Sequence, residues 1–324
     1  MRIVITGGGG FLGQLTARAL LARGGLGATP DDAKQLGGLV LLDQAFPHGR
    51  VEDARVRYEA GDVGDRALLD RVFTQPVDAV IHLAAVVSAG AEADFDLGMR
   101  VNLDATRALL ETCRRQPVPP RLVYTSSVAA FGGALPPVVD DTTAATPQSS
   151  YGTQKVIGEL LINDYSRKGY LDGRTVRLPT IVVRPGKPNR AASGFMSSIL
   201  REPLNGEAAV CPVPPEAEMW ILSPERAVDA LIRAIELPAT AWGTQRTLNA
   251  PGCTVSVRAA LAALEEIAGR EAAARVRFER DPAIEKIVLS WPARFRTARA
   301  TRLGFQGDAG IEAIIRAHLA YLGR

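Results

Sequence analysis

Cysteine and histidine are scarce in this chain, and their placement excludes two kinds of protein at once. Cys113, Cys211 and Cys253 are odd in number, far apart and never in CxxC spacing, and His48, His82 and His318 lie near none of them. Neither a disulfide framework nor a structural zinc site is expected, and no metal is assigned. Long runs of one charge are missing too: 38 basic residues face 35 acidic ones, a formal net charge of +3. That balance gives no electrostatic footprint for nucleic acid or for a membrane surface, so neither is expected as a partner. No apolar run approaches the roughly 20 residues that a membrane span requires. The strand-like "RIVIT" begins at the second residue and leaves no room for the charged and apolar regions of a signal peptide. The expected setting is reducing and cytoplasmic.

What is present is the composition of a core-forming chain, 324 residues with 47% hydrophobic and 23% charged, enough for one large or two smaller domains. Through residue 185 short β-branched runs alternate with helical stretches: "RIVIT", "FLGQLTARALLARG", "GLVLLD", "RALLDRVF", "DAVIHLAA", "RVNLDATRALLETCRR", "RLVYTSS", "KVIGELLINDYSR" and "TVRLPTIVV". Apolar strands without polar alternation, each followed by a helix, predict a parallel sheet covered on both faces, an α/β doubly wound Rossmann fold. After Pro185 the texture becomes irregular, with five prolines from Pro203 to Pro224, before helical patterns return in "SPERAVDALIRAIEL", "VRAALAALEEIAG" and "GIEAIIRAHLAYL". Residues 1–185 are therefore read as a nucleotide-binding domain. Residues 186–324 are read as a smaller substrate-binding region, some segments of which pack back on the first.

The first strand runs into "TGGGGFLG", which places Gly7, Gly10 and Gly13 ahead of the helix "QLTARALL". A dinucleotide loop needs one glycine for the tight turn, one for close approach of backbone to a pyrophosphate, and one for packing of helix on sheet. A glycine-rich match alone is weak; a strand before it and a helix after it are the context that strengthens it. The next strand ends in Asp43, where a carboxylate can accept hydrogen bonds from ribose hydroxyls and repel a 2′-phosphate, favouring NAD over NADP. The interval from Gly13 to Asp43 exceeds the roughly 20 residues usual for this fingerprint, and the polar stretch "GGLGATPDDAKQLGG" accounts for it as a loop insertion. Asp62, in "GDV", can either reach an adenine amino group or belong to a plain surface turn.

At residues 150–155, "SYGTQK" sets Tyr151 and Lys155 one helical turn apart, so both can face one cleft. Solvated Tyr and Lys on helices are ordinary, and the pair alone decides nothing. The ordered set "TGGGGFLG", "GDV", "HLAA" (82–85), "VNLDATRALLE", "YTSSVAAFG" (124–132) and "YGTQK" does more. Together these motifs resemble the extended short-chain dehydrogenase/reductase family, which includes nucleotide-sugar epimerases. More narrowly, "HLAAVVSAGAEADFDLG", "RLPTIVVRPGKPNRAAS" and "REPLNGEAAVCPVPPE" resemble a branch whose members oxidise the C2 hydroxyl of a four-carbon sugar acid with NAD. Composition and spacing do not show that substrate.

The resemblance implies a catalytic Ser127, Tyr151 and Lys155, with Tyr151 as the base. A phenol is a poor base at neutral pH unless nearby positive charge stabilises its phenolate, the role given to Lys155. Ser127 is selected by counting back from Gly132, with Ser126 left to structural hydrogen bonds. The implied NAD site draws on Gly7, Gly10, Phe11, Leu12, Gly13, Asp43, Asp62, Val63, Leu83, Ala84, Ala85, Asn102 and Pro179, with Tyr151 and Lys155. Asn102, read as opening a helix, either caps it or supports a proton relay. His82 is given no chemistry. Ser88, Lys187 and Asn189, with Ser127 and Tyr151, are the residues assigned to the acid. A nucleotide-sugar epimerase of the same family is the rival reading. Dehydratases resemble "TDEVYG" at the serine motif, whose acidic pair is here replaced by Val128 and Ala129. Family members pair the helices carrying "VNLDATRALLE" and "YGTQKVIGELL" across a four-helix interface, so a homodimer is implied.

Overall fold

The computed structural model describes residues 1–27, 33–47, 49–186 and 191–323. Seven strands form the central sheet: β1 (Arg2–Thr6), β2 (Gly38–Asp43), β3 (Val56–Ala60), β4 (Ala79–His82), β5 (Arg121–Ser127), β6 (Asp172–Leu178) and β7 (Thr247–Asn249). Their spatial order is β7-β6-β5-β4-β1-β2-β3, and each neighbouring pair is parallel. This is the doubly wound α/β fold that the alternating pattern predicts. Ile3, Val4 and Ile5, like Val80 and Ile81, are fully buried although successive side chains point to opposite faces, because layers on both sides cover the sheet. The strand order reverses between β1 and β4. Such a sheet offers its ligand crevice there, beyond the C-terminal ends of the strands.

Three helices frame that crevice, and the first and third bring the important side chains to it. Helix α1 (Phe11–Arg23) leaves the glycine loop and stops at Gly24, whose left-handed backbone (φ 68°) turns its N–H back onto the carbonyls of Leu20 and Leu21. Helix α2 (Ala105–Arg114) and the wider π-type turn before it (Met99–Asp104) flank the sheet. Helix α3 (Ser150–Arg167) starts at a serine cap, Ser149, whose hydroxyl accepts the N–H of Gly152 at 3.2 Å. Its glycines decide how closely it approaches β5. A Cβ added at Gly152 would lie 2.1 Å from the carbonyl oxygen of Ala129, and one at Gly158 would lie 2.5 Å from the Tyr124 hydroxyl. Only hydrogen fits at either position, so the first turns of α3 press against the end of β5.

Segments beyond residue 185 belong to the same layers. Helix α4 (Pro224–Glu236) packs on α1, and Leu231, Ile232, Ile235, Trp242 and Leu248 share one core with Ile3, Leu39 and Ile81. The fully buried Arg174 of β6 ties that helix down, donating to the carbonyls of Ala234 (2.5 Å) and Ile235 (2.7 Å) while pairing with Asp172 at 2.5 Å. A cation at a helix C-terminus is favourable. The seventh strand, β7, thus comes from the second half of the chain, where no apolar run marks it. A second core, including Met196, Ile199, Cys211, Val257 and Ile315, lies beneath a three-stranded sheet of Thr180–Ile181, Glu218–Leu222 and Cys253–Ser256. The polar insertion before β2 is closed at its base by antiparallel pairing of Gly25–Leu26 with Lys34–Gln35. Among the described residues no helix is long and apolar enough to cross a membrane.

Candidate active site

The glycine loop is built by exclusion of side chains. A Cβ at Gly7 (φ 71°) would sit 2.7 Å from the backbone nitrogen of Ala84, and one at Gly13 would sit 2.3 Å from the carbonyl oxygen of Gly7. The loop therefore threads against the chain leaving β4, and α1 seats directly on the loop. No acidic residue occupies the first turn of α1, which leaves its N–H groups and positive dipole end for an anion. At the end of β2 the Asp43 carboxylate accepts the N–H groups of Gly9 (2.9 Å) and Gln44 (2.7 Å). Bare backbone, an unopposed helix N-terminus and a carboxylate at the adjacent strand end fit a dinucleotide.

Above the switch point opens a cavity of about 400 Å³. Gly7, Gly10, Phe11, Leu12 and Gly13 form one side, and Leu83, Ala85 and Ser88 enter from the loop after β4. Ser127, Tyr151, Lys155 and Pro179 complete the part that the sequence points to. Of the other expected positions, Asp43 and Ala84 belong to the loop's supports just described, and Val63 is buried in the core with Val40 and Leu42. Asp62 accepts the N–H of Gly64 at 2.7 Å and lines a separate surface groove with Arg66 and Arg107. Lys187 and Asn189 lie outside the described residues.

Asn102 requires a correction. It does not open a helix, because helical turns begin at Phe95 and continue through it. Its amide works sideways instead, accepting the N–H of Val86 (2.8 Å) and donating to the carbonyl of Val86 (3.0 Å) and to Gln154 Oε1 (2.7 Å). This buried clamp joins the loop after β4 to α3. Ser88 is a similar tie, its Oγ accepting the N–H of Ala192 at 3.2 Å.

His82 sits in a closed chain of hydrogen bonds, and the chain fixes its tautomer. Thr106 donates to the carbonyl of Asn102 (2.8 Å), so its oxygen receives the proton on Nε2 of His82 (2.9 Å). Nδ1 of His82 then accepts from Thr6 (2.6 Å), whose oxygen lies 3.4 Å from the N–H of Ala84. Both nitrogens are used by a neutral ring. Burial, with a smaller contribution from the Lys155 charge, holds the imidazole down at about 3.

The groups around Tyr151 are charged on two sides. Burial pushes the phenol up to about 12, opposed by the Arg184 charge and by a hydrogen bond from Ser127. Lys155, almost wholly buried, has its Nζ 4.7 Å from the Tyr124 ring centroid and 5.6 Å from that of Tyr151. Burial brings its ammonium down to about 7, while Glu159, one turn further along α3, opposes that shift. Glu159 is itself buried and held from both sides, by Ser126 Oγ at 2.5 Å and by the Arg177 fork at 2.8 and 2.6 Å. Both Ser126 and Ser127 line the cavity, but Ser126 is committed to this ion pair, whereas Ser127, which accepts the N–H of Ala129 at 3.1 Å, also meets the Tyr151 phenol.

On the opposite wall, sequence reasoning looked to the basic segment after the sixth strand but assigned its Lys187 and Asn189 and left Arg184 beside them without a role. Arg184, Ser193, Ser197, Arg201 and Trp291 line the same cavity. Arg184 donates from Nε to the carbonyl of Ile181 (3.0 Å) and from Nη2 to Ser193 Oγ (3.1 Å), and its carbonyl accepts a bond from Arg201 Nη1 at 2.5 Å. Burial lowers its pKa, with Tyr151 opposing and Arg201 adding to the shift. The basic "RPGKPNR" segment was a signal for such a cation; nothing local to Trp291 announces it.

A parallel sheet with a side-chain-free loop at its switch point, under a Tyr, a Lys and a Ser, defines an NAD-dependent oxidoreductase of the Rossmann class. Residues 3–241 match the NAD dependent epimerase/dehydratase family, and the chain belongs to that family. It is 55% identical over 325 residues to a D-erythronate dehydrogenase of Cupriavidus necator, covering 100% of this chain and 99% of that protein. A D-erythronate dehydrogenase of Haemophilus influenzae is 46% identical, with 99% of each chain covered. Among solved structures, a nucleoside-diphosphate-sugar epimerase from Agrobacterium tumefaciens superposes with a TM-score of 0.93 at 40% identity, covering 100% of this chain and 95% of that one. An L-threonine dehydrogenase from Phytophthora infestans superposes at 0.85 with 25% identity, covering 100% and 99%.

Proposed function

We propose that this enzyme oxidises the C2 hydroxyl of D-erythronate, or of a closely related aldonic acid, to the 2-keto acid, with Tyr151 as the base. The observation that carries the reading is the single cavity in which Ser127, Tyr151 and Lys155 meet the Arg184 cation. The glycine loop and Asp43 would hold NAD, which when bound would supply a hydride acceptor for C2. Ser127 orients the alcohol, and Tyr151 takes its proton onto the phenolate oxygen. Burial holds the phenol up at about 12, so cations beside it are needed to bring the phenolate within reach of neutral pH. Arg184 is one and Lys155 the other. Arg184, tied to Ile181 and Ser193, also gives this wall the positive charge that favours the substrate carboxylate.

Support for this substrate comes from the two D-erythronate dehydrogenases that match along the whole length. The rival, a nucleotide-sugar epimerase, is favoured by the Agrobacterium structure. The two part on a simple measurement, absorbance of reduced nicotinamide with purified protein and a panel of aldonic acids and nucleotide sugars. Net NADH from D-erythronate is expected; micromolar binding of a UDP-sugar, with no NADH from any acid, would restore the epimerase. We further propose a homodimer through α2 and α3, on whose outer surface Leu160 is 66% exposed. A monomer mass across a wide concentration range in sedimentation would count against it.

A further inference from the structure

We infer that the Trp291 indole is the chain-length gauge of the substrate site, ending the space available to an acid beyond its fourth carbon. The inference rests on the sugar-acid reading above and adds to it the residue that selects among such acids.

Trp291 is far in sequence from every catalytic position, yet it lines the cavity that holds Ser127, Tyr151 and Arg184. It also borders a second, small void together with Val128, Thr180, Met219, Trp220 and Val288. Trp291 is thus shared by the two spaces. Val128 and Thr180 border both spaces, and Val128 directly follows Ser127. On this proposal an acid held by its C2 hydroxyl at Ser127 and Tyr151, with its carboxylate toward Arg184, extends its remaining carbons past Val128 to Trp291.

The backbone that carries Trp291 is tied down. Trp291 donates its backbone N–H to the carbonyl of Val288 at 3.2 Å. Two residues on, the carbonyl of Ala293 accepts from Thr254 Oγ1 at 2.7 Å, and Arg294 forks onto Glu218 at 3.1 and 2.8 Å. The strap then pairs with Val139, whose N–H donates to Arg294 and whose carbonyl accepts from Arg296, at 2.9 and 2.8 Å. Three separate parts of the chain pin the backbone of the segment, which fixes the point from which the indole projects. A fixed apolar wall discriminates by length, and one extra carbon in such a pocket is worth about 10- to 200-fold in kcat/KM.

The test compares four-, five- and six-carbon aldonic acids with wild type, Trp291→Ala and Trp291→Phe, following NADH formation. Wild type should fall steeply with length. Trp291→Ala should raise the five-to-four-carbon ratio of kcat/KM about 10-fold or more, through a real gain on the longer acid, while Trp291→Phe keeps most of the wall and most of the wild-type profile. NAD affinity, measured by calorimetry, should be the same in all three. Should the alanine variant fail to fold, Trp291→Leu carries the same ratio test. Wild type active on the four-carbon acid, with the length ratio unchanged in the alanine or leucine variant, overturns the gauge alone. Wild type inert on every aldonic acid overturns the sugar-acid reading and the gauge together.

Discussion

The two walls of the cleft are made in opposite ways. The cofactor wall is continuous in sequence and nearly free of side chains: Gly7 to Gly13 presents backbone, and its supports, His82 between Thr6 and Thr106 and Asn102 against Val86, are neutral and fully hydrogen-bonded. The facing wall, which we propose takes the substrate, gathers Arg184, Ser193, Arg201 and Trp291 from across more than a hundred positions, and it carries charge in a partly buried place. Shape recognition of a constant ligand needs only backbone and a helix end. Selection among small acids needs cations and bulk at particular points, which loops from several elements supply.

The sharpest way to test the division is at the residue where the walls meet. Tyr151→Phe keeps the ring and removes the proton acceptor, so NAD affinity should hold while kcat falls on the order of 10²-fold or more. Near wild-type turnover would remove Tyr151 from the chemistry. Next comes the substrate wall itself. Arg184→Met should raise KM for the acid on the order of 10- to 100-fold, the worth of a hydrogen bond to a charged group, and leave NAD binding alone. The same variant should move the pH–rate profile to the alkaline side, because Arg184 pulls the Tyr151 phenol down. A KM increase without that shift would confine Arg184 to the carboxylate.

On the cofactor wall the effect should be smaller and of another kind. Asp43→Ala removes the carboxylate that would repel a 2′-phosphate, and should narrow the preference for NAD over NADP on the order of 10-fold. Substrate KM should not change. If kcat/KM with NAD and with NADP keep their ratio, another residue reads the ribose.

Local signals made one wall legible and left the other hidden. The strand, glycine loop and helix are contiguous, and Tyr151 and Lys155 are placed by a cap at Ser149 and a helical period, so spacing in the sequence is spacing in the fold. Ser127 was chosen over Ser126 by its distance from Gly132 in the family motif, and the structure commits Ser126 to Glu159. Asn102 was misplaced because helical turns starting at Phe95 leave no mark at its own position. The seventh strand and Trp291 could not be read at all. Each owes its place to pairings with distant segments, β7 to β6 and the Trp291 strap to Val139, Glu218 and Thr254.

The smallest expected effect concerns stability, and it isolates the neutral support of the cofactor wall. The His82 imidazole stands at about 3 in the fold, against about 6.5 for an exposed ring. Between those values the unfolded chain binds a proton that the folded one refuses, so stability rises with pH across the window and is lost as pH falls from about 6.5 toward 3. The Lys155 ammonium, near 7 in the fold against an ordinary 10.5, gives the same sign in the separate window between those values. Denaturant unfolding of wild type and His82→Gln, from pH 7.5 to pH 5, separates His82 from the carboxylates, which titrate alike in both proteins. The variant loses stability at every pH, since Thr6 and Thr106 lose their shared partner. Its slope below pH 6.5 should nevertheless be flatter, by at most one proton or about 1.4 kcal/mol per pH unit. Equal slopes would mean that His82 is protonated within the folded protein, and that the ring is not the neutral bridge its hydrogen bonds describe.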